Sequence, residues 1–74
     1  HKSYTRVKYS SDSLLIFGRE TAGLPKSFLE EFTDDCVRIP MISSARCLNL
    51  ANSAAIVLYE ALRQNDFDQV EGTI

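Results

Sequence analysis

The stretch "SLLIFGRETAGLP", Ser13 to Pro25, decides how this chain is read. Four apolar residues in a row, Leu14 to Phe17, are closed by Gly18. The run is short and apolar on both alternating faces, which predicts a buried strand of the kind found in parallel sheets. The following residues set two glycines, Gly18 and Gly23, around Arg19 and Glu20, and end on Pro25. A loop this permissive at a strand's end offers backbone to a ligand: Gly18, lacking a side chain, would let a flat or bulky group come close. Pro25 fits the first position of a short helix over "LPKSFLEEF", where its missing N–H is not needed. Ser27 and Glu30 offer the alternative of a capping box and a start two residues later.

On the carboxyl side, "TDD" ends that helix and "CVRIPM", Cys36 to Met41, predicts a second short strand, β-branched at Val37 and Ile39 and stopped by Pro40. A polar loop, "ISSAR", leads into one helix from about Cys47 to Gln64, and the tail from Asn65 reads as frayed. On the amino side, His1 to Ser13 is polar and reads as an irregular lead-in, with a short extended piece around Arg6 to Tyr9 and no role for His1. Strand, loop, helix, strand, loop, helix is an α/β order. In such sheets ligands sit on the loops that follow the strands. "GRETAG" lacks the Gly-Lys-Ser/Thr ending of a P-loop and the GxGxxG spacing, so nucleoside triphosphate hydrolysis and dinucleotide hydride transfer are poorly supported. Ile39, Met41 and Leu48 offer an apolar lining for an adenine.

Composition narrows the rest. Seventy-four residues make at most one small domain, and a core that size is marginal alone. Apolar content of 45% excludes a disordered chain. A net charge of −2 leaves no basic footprint, so a nucleic-acid site must be local or completed by another chain. Cys36 and Cys47 lie apart with no CxxC and no His cluster, so no metal site is expected and two buried thiols in a cytoplasmic protein are preferred over a disulfide. No signal peptide or membrane span is read in the sequence. The chain opens on His1 rather than Met and is expected to be part of a longer protein.

The long helix has two apolar sides. Cys47, Ala51, Ala54, Ala55, Leu58 and Leu62 fall at steps of three and four, and Leu50, Val57 and Ala61 widen the stripe beyond half the circumference. One side can lie on the sheet. Missing sequence or a second copy would cover the other, unless the excess is ordinary for a helix on a single sheet.

Three strings, "LLIFGRETAGLP", "VRIPM" and "ARCLNLANSAAIVLYEALRQ", together resemble the last two motifs of the SPOUT superfamily in its SpoU branch. Those proteins are S-adenosylmethionine-dependent RNA 2′-O-ribose methyltransferases, and the resemblance is closest to those acting on the tRNA wobble position (cytidine/uridine 2′-O). It covers roughly residues 13 to 67. It implies the carboxyl-terminal part of a parallel-sheet α/β fold with a deep trefoil knot, a homodimer packed through the last helix, and tRNA as partner. Residues 1–13 would be lead-in, 14–64 the core motifs and 65–74 tail. Gly18, Ile39, Cys47 and Leu48 would contact the cofactor, S-adenosyl-L-methionine. Cys47 stands where the family usually has Ser; a lost hydroxyl donor would weaken binding by about 1 kcal/mol, and a main-chain contact would be unaffected. The family's Arg from an Asn-x-x-x-Arg motif, its proposed base, is absent from this sequence. The chain alone is therefore expected not to methylate tRNA.

Each of these residues also has a plainer reading. Glu20 can be a charge at the start of a helix; the resemblance makes it and Asn49 the organisers of the catalytic site. Arg19 is a surface cation or a phosphate contact. Asn49 and Asn52 can cap the long helix. Tyr59 is core, dimer interface or, by the resemblance, an RNA contact, and Cys36 is structural. Two further function classes stay open: a ribosomal-RNA methyltransferase of the same branch, and a non-catalytic dimerisation or RNA-binding module.

Overall fold

A computed structural model of the chain describes residues 1–19, 22–41 and 49–68. Among the described residues two α-helices, two 3-10 turns and one parallel strand pair make up the ordered elements, which fits the α/β class. Strand β1 (Lys2–Ser3) pairs in parallel with β2 (Val37–Arg38), Lys2 opposite Val37 and Ser3 opposite Arg38. Helix α1 (Lys26–Glu31) lies between them in sequence, and α2 (Leu50–Gln64) follows β2. Helix α1 starts one residue later than the proline-first reading. Pro25 occupies the N-cap, its carbonyl accepts the Leu29 N–H at 3.1 Å, and no side chain caps it. A 3-10 turn over Thr33–Asp35 carries the chain from α1 to β2, with the Phe28 and Phe32 rings packed 4.7 Å apart beneath it.

The amino-terminal segment corrects the sequence reading. His1 to Ser13 is not merely an irregular lead-in. It supplies β1, a 3-10 turn over Tyr4–Arg6, and Tyr9, one of two buried hydrophobic residues among those described. His1 takes part as well, its carbonyl accepting Arg38 Nε–H at 3.1 Å. Polar residues misled the reading because a parallel ladder uses the backbone, and two residues suffice for a rung.

Leu14 to Phe17 differs too. It forms no strand, and burial alternates: Leu15 and Phe17 are half-buried, while Leu14 is 82% and Ile16 51% exposed. That is the pattern of a segment covered on one side only. A run apolar on both faces needs a layer on each, and among the described residues no strand lies beside it.

Helix α2 is capped at its start by Asn49, whose Oδ1 accepts the Asn52 N–H at 2.8 Å. Its buried residues are Val57 and, unexpectedly, Glu60. The predicted stripe is only partly covered: Ala54 and Leu62 are half-buried, but Ala51, Ala55 and Leu58 are exposed. The carboxyl-terminal turn holds the amino-terminal segment through polar contacts. Gln64 Oε1 accepts the Tyr9 N–H at 2.9 Å, and Gln64 Nε2 donates to the Val7 carbonyl at 2.9 Å and to Glu60 Oε2 at 2.8 Å. Asn65 Nδ2 reaches the carbonyls of Tyr9 and Ala61, and the Tyr9 hydroxyl donates to the Tyr4 carbonyl at 2.8 Å. The first residues beyond α2 are not frayed. Asn65 to Asp68 turn back in hydrogen-bonded order, with Phe67 N–H on the Leu62 carbonyl at 2.9 Å and left-handed φ at Asp66 and Phe67.

Candidate functional site

The glycine-rich segment is a closed loop. Gly23 N–H donates to the Arg19 carbonyl at 2.8 Å, and the two residues form an antiparallel bridge. Gly23 has φ +66, the left-handed conformation in which an L side chain is strained. Gly18 lets the Gly23–Leu24 backbone pack against it. A Cβ built there would overlap the Gly23 carbonyl carbon and the Leu24 nitrogen, and would lie 2.6 Å from Gly23 Cα. The open side of the loop is at Gly23, where an added Cβ meets nothing within 4 Å. The sequence reading gave Gly18 a backbone contact to the cofactor and Gly23 a part in the turn into α1; the space a Cβ would occupy is filled at Gly18 and open at Gly23. Leu24 is half-buried and Pro25, with extended ψ of 144°, hands the chain to α1.

The predicted site residues are distributed as follows. Arg19 is exposed at the foot of the loop, and Ile39 is half-buried just past β2, with Met41 exposed two residues on. Asn49 caps α2 through Oδ1; its Nδ2 has no partner among the described residues. Glu20, Cys47 and Leu48 lie outside the described residues. Tyr59 is 60% exposed, its ring 6.3 Å from that of Phe67. It lines a groove with Tyr4, Ile56, Glu60, Arg63 and Phe67, in which no residue of the glycine loop takes part. Cys36 carries a free thiol, half-buried rather than buried, directed at the Phe32 carbonyl at 3.4 Å. Among the described residues no His, Cys, Asp and Glu group could hold a metal ion, and no helix is long and apolar enough to cross a membrane.

Glu60 and Gln64 escaped the sequence reading. Glu60 is 92% withdrawn from solvent (8% exposed), and its carboxyl is held down to about 2 by the hydrogen bonds of Arg63 and then Gln64. Arg63 donates through Nε at 2.9 Å and its terminal nitrogen at 2.8 Å, and its own pKa is raised by that bond. Burial, and next the Glu60 charge, push the Tyr9 phenol up. The signal was available: a Glu and a Gln four residues apart, the Glu set between Val57 and Ala61, on a helix otherwise rich in apolar residues.

Comparison with known proteins places these features in a family. The SpoU rRNA Methylase family matches residues 1–59. A tRNA (cytidine(34)-2′-O)-methyltransferase of Methylovorus glucosotrophus is 45% identical over 65 residues, covering 86% of this chain and 42% of that protein. A relative from Geobacillus stearothermophilus, provisionally assigned the same activity, is 54% identical over 67 residues, covering 90% of this chain and 43% of its own length. The crystal structure of a provisionally assigned RNA methyltransferase from Bacillus anthracis superposes on the whole chain with a TM-score of 0.84 at 44% identity, using 48% of that chain. The chain thus spans less than half the length of the curated relatives it matches. With the match running from β1 through most of α2, the chain belongs to the SpoU rRNA Methylase family.

Proposed function

We propose that this chain is the carboxyl-terminal, donor-binding portion of an S-adenosylmethionine-dependent RNA 2′-O-ribose methyltransferase that acts on the wobble nucleotide of tRNA. The observation that carries the reading is the continuous likeness, 45% and 54% identical, to proteins named for that activity across the glycine loop and the start of α2. The complete protein would tie the trefoil knot of its superfamily around the loops after the strands, and would pair as a homodimer through the exposed side of α2, where Ala51, Ala55, Leu58 and Tyr59 face solvent.

The donor supplies an electrophilic methyl group on a sulfonium. The residues present fit such a ligand on the apolar side: Ile39 and Met41 stand at the carboxyl end of β2 with partly exposed apolar surface for an adenine face. The open edge at Gly23 admits a flat group beside the main chain, a better place than the filled side of Gly18. Gly18 would contribute through its backbone, with Cys47 and Leu48 completing the donor contacts. A ribose hydroxyl is a poor nucleophile until its proton is taken up, so a base and close alignment are needed. Asn49 would orient the ribose or the loop through its Nδ2 while Oδ1 caps α2, and Glu20 would brace the loop. Arg19 and Tyr59 are the RNA contacts in this reading. The base is the Arg of the upstream motif, outside this sequence.

Two measurements test it. Deleting the gene of the complete protein should remove a 2′-O-methyl group from the wobble ribose of tRNA, read by nucleoside mass spectrometry; an unchanged wobble nucleoside contradicts the reading. Loss of a ribosomal-RNA methyl group instead would favour the second reading, a ribosomal-RNA enzyme, which the family's own description supports. The 74-residue chain given tRNA and labelled donor should transfer no methyl group, and clear turnover would overturn the assignment of the base.

A further inference from the structure

The loop from Gly18 to Leu24 has no β-ladder at its foot. Ser10 to Phe17, the residues leading into it, pair with no strand among the described residues. Helix α2 holds them instead. The Gln64 carboxamide accepts from Tyr9 N–H and donates to the Val7 carbonyl, both at 2.9 Å. Those are the two bonds that one residue of a neighbouring strand would make, so a side chain stands in for a ladder rung. Glu60 fixes the orientation of that carboxamide by accepting from Nε2 at 2.8 Å, and is itself held by Arg63. Asn65 adds a bond to the Tyr9 carbonyl at 3.1 Å. Ser10 and Ser13 then close a turn on each other, with Ser10 N–H on Ser13 Oγ at 2.9 Å. Closer to the loop, Leu15 shares a groove with Leu58, Ala61 and Leu62 of α2. Apart from the Tyr9 hydroxyl on the Tyr4 carbonyl, the hydrogen bonds that tie Val7 to Phe17 to other described residues therefore run to the carboxyl-terminal half of α2 and the turn after it.

We propose that Gln64, braced by Glu60, is a positioning residue for the Gly18–Leu24 loop, the end of α2 taking the place of a neighbouring strand as the loop's support. Gln64→Ala strips partners from the Tyr9 N–H and the Val7 carbonyl, in a segment whose central residue is buried. Glu60→Gln can keep one acceptor oxygen for Gln64 while removing the charge and the second oxygen that accepts from Arg63 Nε. The effect on donor binding rests on the function proposed above; the effect on the loop does not.

Amide hydrogen exchange on the 74-residue chain separates the two, because Tyr9 N–H reports the support and Gly23 N–H, bonded to the Arg19 carbonyl, reports the loop. In Gln64→Ala both amides should lose roughly tenfold or more in protection, while the interior of α2 keeps its own. In Glu60→Gln both should fall together by roughly threefold. Affinity for S-adenosylhomocysteine should fall in the same order in variants that remain folded by circular dichroism. Loss of protection at Tyr9 with none at Gly23, in either variant, overturns the proposal, as does unaltered donor affinity in folded Gln64→Ala. If the unsubstituted chain binds no S-adenosylhomocysteine, the donor reading fails and the exchange pattern alone decides the support. If Gln64→Ala unfolds, with α2 amides exchanging too, Glu60→Gln decides it by the same two amides.

Discussion

A Cβ at Gly18 would overlap the backbone of Gly23 and Leu24, whereas one at Gly23 meets open space in a left-handed backbone. The two glycines therefore predict different costs. Gly23→Ala should destabilise by about 1 kcal/mol, the backbone penalty alone. Gly18→Ala should cost more and open the Arg19–Gly23 closure, because backbone atoms must move to admit it. Chemical denaturation compares them, and equal costs would contradict the loop geometry. Asn49 makes a parallel case. Asn49→Ala should cost about 1 kcal/mol through the lost cap, and Asn49→Asp should recover it. A complete enzyme that stays stable but inactive with Asp at this position would show that the Nδ2 group serves the site. Sequence alone placed Gly18 and Asn49 in the candidate site, read Gly23 as part of the turn into α1, and offered the cap for Asn49. It did not tell which glycine has open space beside it, because that depends on which neighbour folds back onto the loop.

Helix α2 shows both what periodicity reveals and what it hides. Its existence and its end at Gln64 follow from the apolar spacing, which gave it two apolar sides, and the Ala51–Ala55–Leu58 side is exposed in the single chain. The side that is buried includes a carboxylate, which a hydrophobic stripe does not disclose; partners, not hydropathy, decide whether a charge can be buried. The Glu60 carboxyl is depressed to about 2 from its ordinary 4.5. Its contribution to stability is therefore complete above about pH 4.5 and is lost as pH falls toward 2. Thermal melts between those values should show the loss, and Glu60→Gln should flatten it; identical pH profiles for the two chains would contradict the role of the Arg63 and Gln64 bonds. The Leu14–Phe17 run failed for a related reason. A strand is a property of a pair, and the sequence shows a candidate without showing its partner.

The whole chain is open for its size. Its accessible surface is 6428 Å², against about 4600 Å² expected for a compact monomer of 8.3 kDa. The radius of gyration, 13.5 Å, also exceeds the roughly 11 Å of a compact chain this long. Among the described hydrophobic residues only Tyr9 and Val57 are buried, while Leu14, Ile16, Leu58 and Tyr59 present apolar area to solvent. Surface of that kind predicts association: sedimentation should show self-association rising with concentration, and Leu58→Glu should suppress it. A monomer at every concentration would contradict the homodimer reading. The α/β class was legible at this scale, because it rests on local punctuation by Gly, Pro and apolar runs. The amino-terminal strand and the polar support at the end of α2 were not, because both are made across more than thirty residues, the first between backbones and the second by side chains on backbone groups that every sequence possesses. The central claim, that this chain carries a methyl-donor site, is tested most directly by titrating S-adenosylhomocysteine into it in a calorimeter. Saturable binding at about one site per chain, weakened by Gly18→Ala, is the predicted result, and no heat of binding at millimolar ligand to the folded chain would contradict it.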